Sequence, residues 1–412
     1  LNPEEKRILA VTCFGHFMSH CNMLVFPALL VPLASGLGMK LGAVMELSFW
    51  MYLLFGVTAL PWGLVTDRLG ARPLMMLFFL GAGLCAVGAA FSLDDPPRLS
   101  LYLAGVGLFS GIYHPAGLGL VARGVERLSL GMAYNGMFGN LGLAAAPLMA
   151  GLVNWVSGPQ AAYLVLAGLN LAGLVMFFLM RVDEPERPAD KASRSTAGLW
   201  GPFVILLGAM MLGGFTYRGA TVTVPAYFEL QTPAIMDWLG GLGAGGLSGN
   251  LVATLLTSFI FVVGAVGQYS GGRLGERIDP RWGYLLYHAI ALPAVVAMAF
   301  LANLPLVLAA LVYLFFLLGM QPMENTLVAR LSPPAFKHSA FGAKFVLTFG
   351  IGSVAVIVAG LTQEAWGMDK VFLILGAVSA LLVAAIGVLI WRTGPQSGAG
   401  APARPEGSAG AR

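Results

Sequence analysis

Apolar runs of about twenty residues, separated by short polar turns, fill the chain from near residue 8 to near residue 391. A helix needs roughly 20 apolar residues to cross a bilayer. Twelve runs meet that length: about 8–36, 42–65, 72–92, 99–122, 130–156, 160–181, 200–228, 249–270, 283–302, 304–329, 338–363 and 368–391. The pattern predicts an all-α membrane protein with twelve transmembrane helices. Three stretches interrupt it. Residues 181–196, RVDEPERPADKASRST, read as a charged, solvated linker. Residues 229–249 are Gly-rich and read as a mobile loop or a short surface helix. The tail from 394 is rich in Gly, Ala and Pro and reads as disordered.

Composition changes the solvent, not the pattern. Only 10% of residues are charged and 58% are hydrophobic, against about 25% charged in a soluble domain. Such a chain cannot cover itself in water, so lipid is its solvent. The formal charge of +4 sits in scattered loops and gives no nucleic-acid face. Cys13, Cys21 and Cys85 all lie in apolar runs, so no disulfide is expected. The first run is too long for the hydrophobic core of a secretory signal. Placing both termini in the cytoplasm collects 18 of the 23 Lys and Arg residues there, which fixes the expected orientation.

The chain repeats itself. Gly63, Asp67, Arg68 and Arg72 match Gly272, Glu276, Arg277 and Arg281 at one spacing. Pro115–Arg123 (PAGLGLVAR) matches Pro322–Arg330 (PMENTLVAR). Two matches at nearly half the chain length predict duplicated six-helix halves: an N-terminal bundle (1–181), a cytoplasmic linker (182–199), a C-terminal bundle (200–392) and a disordered cytoplasmic tail (393–412). Duplicated halves are the plan of a rocking transporter whose site lies between them near the bilayer midplane.

The stretch GLVTDRLGAR (63–72) resembles the signature of the major facilitator superfamily, G-x-x-x-D-R-x-G-x-R, at all its specified positions. The resemblance implies that fold, two pseudo-symmetric six-helix bundles, and a cytoplasmic gate built from Gly63, Asp67, Arg68, Gly70, Arg72 and, in the second half, Glu276, Arg277 and Arg281. GLAAAPLMAG (142–151) resembles, in part, the antiporter signature of that superfamily. Three further stretches resemble bacterial exporters of the fosmidomycin-resistance type: Gly15–Leu30, then Tyr113–Ala116 with Val121–Arg123, then Phe138–Gly142 with Ala146 and Pro147. That resemblance implies export across a bacterial plasma (inner) membrane. Two positions depart from it, since the acids expected there are His20 and Ala116 here.

Ionisable residues inside a span are costly and mark function by default. His16 and His20 share one face of the first span. They lie at depths of roughly 12 and 18 Å, and His114 of the fourth lies at roughly 14 Å. Three imidazoles at one depth bind an anion when protonated, relay protons, or ligate a transition metal, with Cys13 as a possible fourth ligand. Glu324 and Lys344 also lie at matching depth and suggest an ion pair, structural or proton-sensitive. Arg218, beside Tyr217, is placed to meet an anionic solute, to snorkel, or to pair with Glu46. Tyr113, Asn135, Asn140, Gln321 and Asn325 line the path or bridge helices.

No nucleotide loop, hydrolase elbow or zinc-protease motif is present. The sequence therefore predicts no enzyme and no cofactor. It predicts a gradient-driven, monomeric carrier whose partners are the lipid bilayer, a small solute and protons. The solute is anionic or amphipathic and organic, and the expected process is proton-coupled efflux by alternating access. Two alternatives stand beside it: a transition-metal transporter using His16, His20 and His114, and a receptor or scaffold that has lost transport.

Overall fold

A computed structural model describes residues 1–180, 182, 200–333 and 337–394. The expected linker and tail lie outside these, apart from Val182, Thr393 and Gly394. In lipid every backbone polar group must be satisfied within the protein, and every apolar run is accordingly helical. The helices are α1 (Pro3–Ala28, continued past a bend as Leu30–Leu37), α2 (Leu41–Glu46, Phe49–Val57 and Ala59–Leu69), α3 (Ala71–Ala90) and α4 (Pro96–Ser110 and Tyr113–Gly124). Helices α5 and α6 share Leu128–Leu179. Then come α7 (Trp200–Gln231), α8 (Gly249–Gly275), α9 (Pro280–Met298) and α10 (Asn303–Gly319 and Gln321–Leu331). The last are α11 (Lys337–Phe345, Val346–Gly350, Ile351–Ser353 and Val354–Trp366) and α12 (Met368–Thr393).

Among the described residues nine helices are long and apolar enough to cross a membrane, or ten if one sharply bent pair is a single span. The reason that this count is smaller than twelve is local. One uninterrupted Leu128–Leu179 helix would be roughly 78 Å long, over twice the hydrocarbon thickness. Gly158 breaks it, with φ 82° and ψ 172°, and Pro159 restarts it; only glycine takes such angles without strain. Helix α2 is bent into three pieces. Helix α9 is not among the nine, and it buries Arg281, Tyr284, Tyr287 and His288.

Polar side chains start several helices. Asn2 and Glu5 form a reciprocal capping box on α1. Asp95, Ser248 and Asp279 cap α4, α8 and α9. The 229–249 stretch, read as a loop or a surface helix, is the latter: Pro233–Leu239 is helical and runs into a π-helical turn, Gly240–Ala244.

Helices α1 to α6 pack on one another, as do α7 to α12. The two sets meet where α2 lies along α11, α5 along α8, and α1 touches α7. These crossings are close. A Cβ on Gly56 of α2 would stand 2.0 Å from the backbone nitrogen of Gly350. One end of the seam is tied by side chains. Asn154 of α5 donates to Asn250 of α8 at 2.9 Å. Asn250 in turn donates to the Ala28 carbonyl of α1 and to Glu229 of α7, both at 2.8 Å. Trp155 adds a bond to the Gly246 carbonyl. At the other end Glu5 accepts from the Glu126 backbone, so the start of α1 sits beside the α4–α5 turn.

Candidate functional site

Helix α4 is broken after Ser110, and its second segment starts at Tyr113. Helix α10 is broken at the equivalent place, after Gly319. The breaks put His114 just before Pro115 and Gln321 just before Pro322, related by the repeat. Both broken segments aim polar side chains at the centre.

On the N-terminal side His16, His20 and His114 converge. Their ring centroids are 5.0, 5.5 and 6.1 Å apart in pairs, and one nitrogen of each lies within 4.8 Å of the others. His16 Nδ1 is 2.9 Å from the Asn135 carbonyl and 2.8 Å from its Oδ1. His16 Nε2 is 3.3 Å from His20 Nε2. Tyr113 stacks on His16, accepts a hydrogen bond from the Asn135 amide and donates to the Thr12 carbonyl. The approach of α5 to this cluster depends on Gly139, whose Cβ would stand 2.6 Å from the His16 ring. Cys13 is buried beside Tyr113 but is not part of the three-histidine group, so it is not placed as a fourth ligand.

Helices α7 and α11 close the far side. The Arg218 guanidinium lies 3.8 Å from the centroid of the Tyr52 ring, with Tyr217 at 5.9 Å. It is 2% exposed, its Nε has no hydrogen-bond partner, and no carboxylate among the described residues pairs with it. Tyr52 in turn donates to the Met23 carbonyl of α1, three residues beyond His20. The considered Arg218–Glu46 pair does not form. Glu46 lies against Gly360 of α11, in the field of Glu364, because α2 turns that face to α11 rather than to α7. Phe55, Phe345 and Phe349 crowd His114, with Phe345 at 4.8 Å, and Tyr217 touches Phe349.

A second polar cluster lies in the C-terminal half. Lys344 Nζ is 2.7 Å from Glu324 Oε1, and both residues are buried. Lys344 also donates to Asn325 Oδ1. Tyr284 of α9 donates to Glu324 Oε2 at 2.9 Å, and His288 stands edge-on to Tyr284 with its Nε2 unpartnered. Asn140 donates to Gln268 of α8, which donates to Gln321, so the three bridge the halves.

The repeated loop motifs sit at helix ends. Gly70 takes φ 88° between α2 and α3. In the second copy Arg281 is buried, and its carboxylate is Asp279, not the motif's Glu276. Arg281 also donates to Thr393 and to the Gly394 carbonyl, tying the start of α9 to the end of α12. This bonding holds the Asp279 carboxyl below the usual carboxylate range. The motif match aligned Glu276 with Asp67 and passed over Asp279, although a cap two residues before an Arg is visible in the string. Tyr52, Tyr284 and His288 were also passed over. His288 could have been found by applying to the ninth span the rule used on the first and fourth.

Two bundles of this kind, with buried charge gathered between them, define a membrane carrier. The Major Facilitator Superfamily profile matches residues 12–253, and the chain belongs to that family. It is a transporter of the major facilitator fold, not an enzyme. The chain is similar in structure to a bacterial homologue of the human lysosomal transporter Spinster, inward-facing and occupied (TM-score 0.74, 13% identity, 94% of this chain and 97% of that one). It is also similar to a POT family transporter in complex with 5-aminolevulinic acid (0.75, 14%, 92% and 95%) and to the nucleoside transporter NupG (0.74, 14%, 93% and 99%). At these identities the likeness is one of fold. No curated protein matches the sequence.

Proposed function

We propose that the chain is a proton-coupled secondary transporter that carries a small organic anion out through a bacterial inner membrane, as a monomer with both termini in the cytoplasm. One observation carries the anion: Arg218, a buried guanidinium at the meeting of the halves with no carboxylate among the described residues beside it. An unpaired buried charge is expensive, and an incoming anion supplies the missing partner. The surrounding Tyr52, Tyr217 and Phe349 rings suit an amphipathic molecule. The outward direction rests on the resemblance to fosmidomycin-resistance-type exporters, and the orientation on the Lys/Arg bias.

Coupling is assigned to Glu324. The groups facing it are Lys344 from α11 and Tyr284 and His288 from α9. A proton on Glu324 removes the charge that holds Lys344 and lets α10 and α11 separate; loss of the proton clamps them. The loop motifs at 63–72 and 272–281 serve as the cytoplasmic gate.

The test is counterflow in proteoliposomes with a panel of carboxylates, phosphonates and amphipathic drugs. Uptake of at least one anion is expected, with loss in Arg218→Gln and a flattened pH profile in Glu324→Gln. Anion uptake undiminished in Arg218→Gln would overturn the anion assignment. A pH profile unchanged in Glu324→Gln would remove Glu324 from coupling.

A further inference from the structure

We propose that His16, His20 and His114 form a binding site for a divalent first-row transition metal, held at three imidazole nitrogens with a fourth position open to an anionic ligand. Four-coordinate zinc takes nitrogen donors at about 2.0–2.1 Å, which sets the donor-to-donor edges at about 3.3–3.4 Å. His16 Nε2 and His20 Nε2 already stand 3.3 Å apart, and the three donor nitrogens fall within 4.8 Å of one another.

The protonation pattern agrees. The Asn135 carbonyl accepts only, so His16 Nδ1 carries its proton and leaves the Nε2 lone pair facing His20. A ligating histidine normally donates its other N–H to such an acceptor. Mutual hydrogen bonding accounts for the His16–His20 contact without a metal, but not for His114. No hydrogen bond from a described residue engages its ring, although it is buried. Donors that are all nitrogen, with no carboxylate among them, favour zinc, cobalt, nickel or copper over magnesium or calcium.

All three ligands ride on α1 and α4, so rocking of the halves leaves the set intact. The C-terminal half supplies Phe345 and Phe349 as an apolar cover over His114. Arg218 lies over Tyr52, whose hydroxyl donates to the Met23 carbonyl three residues beyond His20 on α1, and its charge opposes a bare divalent ion there. It favours a metal whose fourth ligand is an anion, and there this inference rests on the anion reading above. The metal's own binding does not.

The experiment adds Co²⁺ to untagged, purified full-length protein in detergent at neutral pH. One equivalent is expected to give the intense visible bands of a four-coordinate ion, to be displaced by Zn²⁺, and to raise the unfolding temperature. His20→Ala and His114→Ala should each weaken binding by more than about tenfold, since even loss of an outer-shell partner costs about 10–100-fold. Arg218→Gln should keep the bands of the metal alone. Retention of the wild-type thermal midpoint without metal shows that each variant is folded. Absence of bands and of stabilisation in the wild-type protein, or bands that persist in both histidine variants, would overturn the site. Anions that stabilise the protein without metal would do so whatever the fate of this site, so the two readings fail separately.

Discussion

At the scale of single residues, the buried charges divide into paired and unpaired. Glu324 and Lys344 satisfy one another, with Tyr284 and Asn325 taking the remaining valences. Removing one member of a buried pair strands the other and costs about 3–5 kcal/mol. Lys344→Ala is therefore expected to lower the thermal midpoint in detergent sharply. Joint replacement by Glu324→Gln and Lys344→Met should recover most of it, because two apolar or neutral groups of similar size leave no stranded charge. An equally unstable double variant would refute the pairing argument. Asp279 gives a pH prediction of opposite kind. Its carboxyl is held low in the folded protein by Arg281, so its contribution is complete above the ordinary carboxyl value, about pH 4, and fades as pH falls through the lower folded value. Asp279→Ala should lower the thermal midpoint at pH 7, and the gap from the parent should narrow below pH 4; a gap independent of pH would refute it.

At the scale of helices, small residues decide how near the elements come. Gly139 admits the His16 ring against α5, and Gly56 admits the backbone of α11 against α2. No flexible side chain lies between Gly56 and Gly350 to give way. Gly56→Val is expected to push α2 from α11, a separation of several ångströms visible between spin labels on the two helices. Gly139→Ala should disturb His16 while sparing the seam, since the atom in its way is an imidazole tip. Labels on α2 and α11 that keep their parent distance in Gly56→Val would contradict the close-packing account. The helix breaks in α4 and α10 belong to this scale too. The segments that they start carry His114 and Glu324, both buried.

For the whole molecule, the tied end of the seam defines its state. Asn250 connects α1, α5, α7 and α8 through hydrogen bonds to the Ala28 carbonyl, from Asn154 and to Glu229. In the orientation proposed above this end would face outward, and its ties would seal the outside. Three bonds worth about 0.5–1.5 kcal/mol each are enough to bias a carrier that rocks between states of similar energy. Asn250→Ala is expected to raise the outward-open population, read as a longer distance between spin labels at Ser35 and Asp237. An unchanged distance distribution would remove Asn250 from the gate.

Much of this was legible in the string. Apolar runs of bilayer length had no folded alternative to helix, because lipid offers no partner for a free backbone group. The duplicated loops and the 63–72 motif identified two halves and the family, and equal depths singled out His16, His20, His114, Glu324 and Lys344. What the sequence lacked was direction around each helix axis and the meeting of helices far apart in the chain. Depth along a span follows from rise per residue, but rotation is set by packing. Packing placed Arg218 over Tyr52 rather than beside Glu46, left Cys13 out of the histidine group, and made Asn140 a bridge to Gln268. The chain thus determined by itself its solvent, its repeat and the heights of its charges. Only the tertiary structure decided which charges meet, since contact between helices depends on where glycines let them touch.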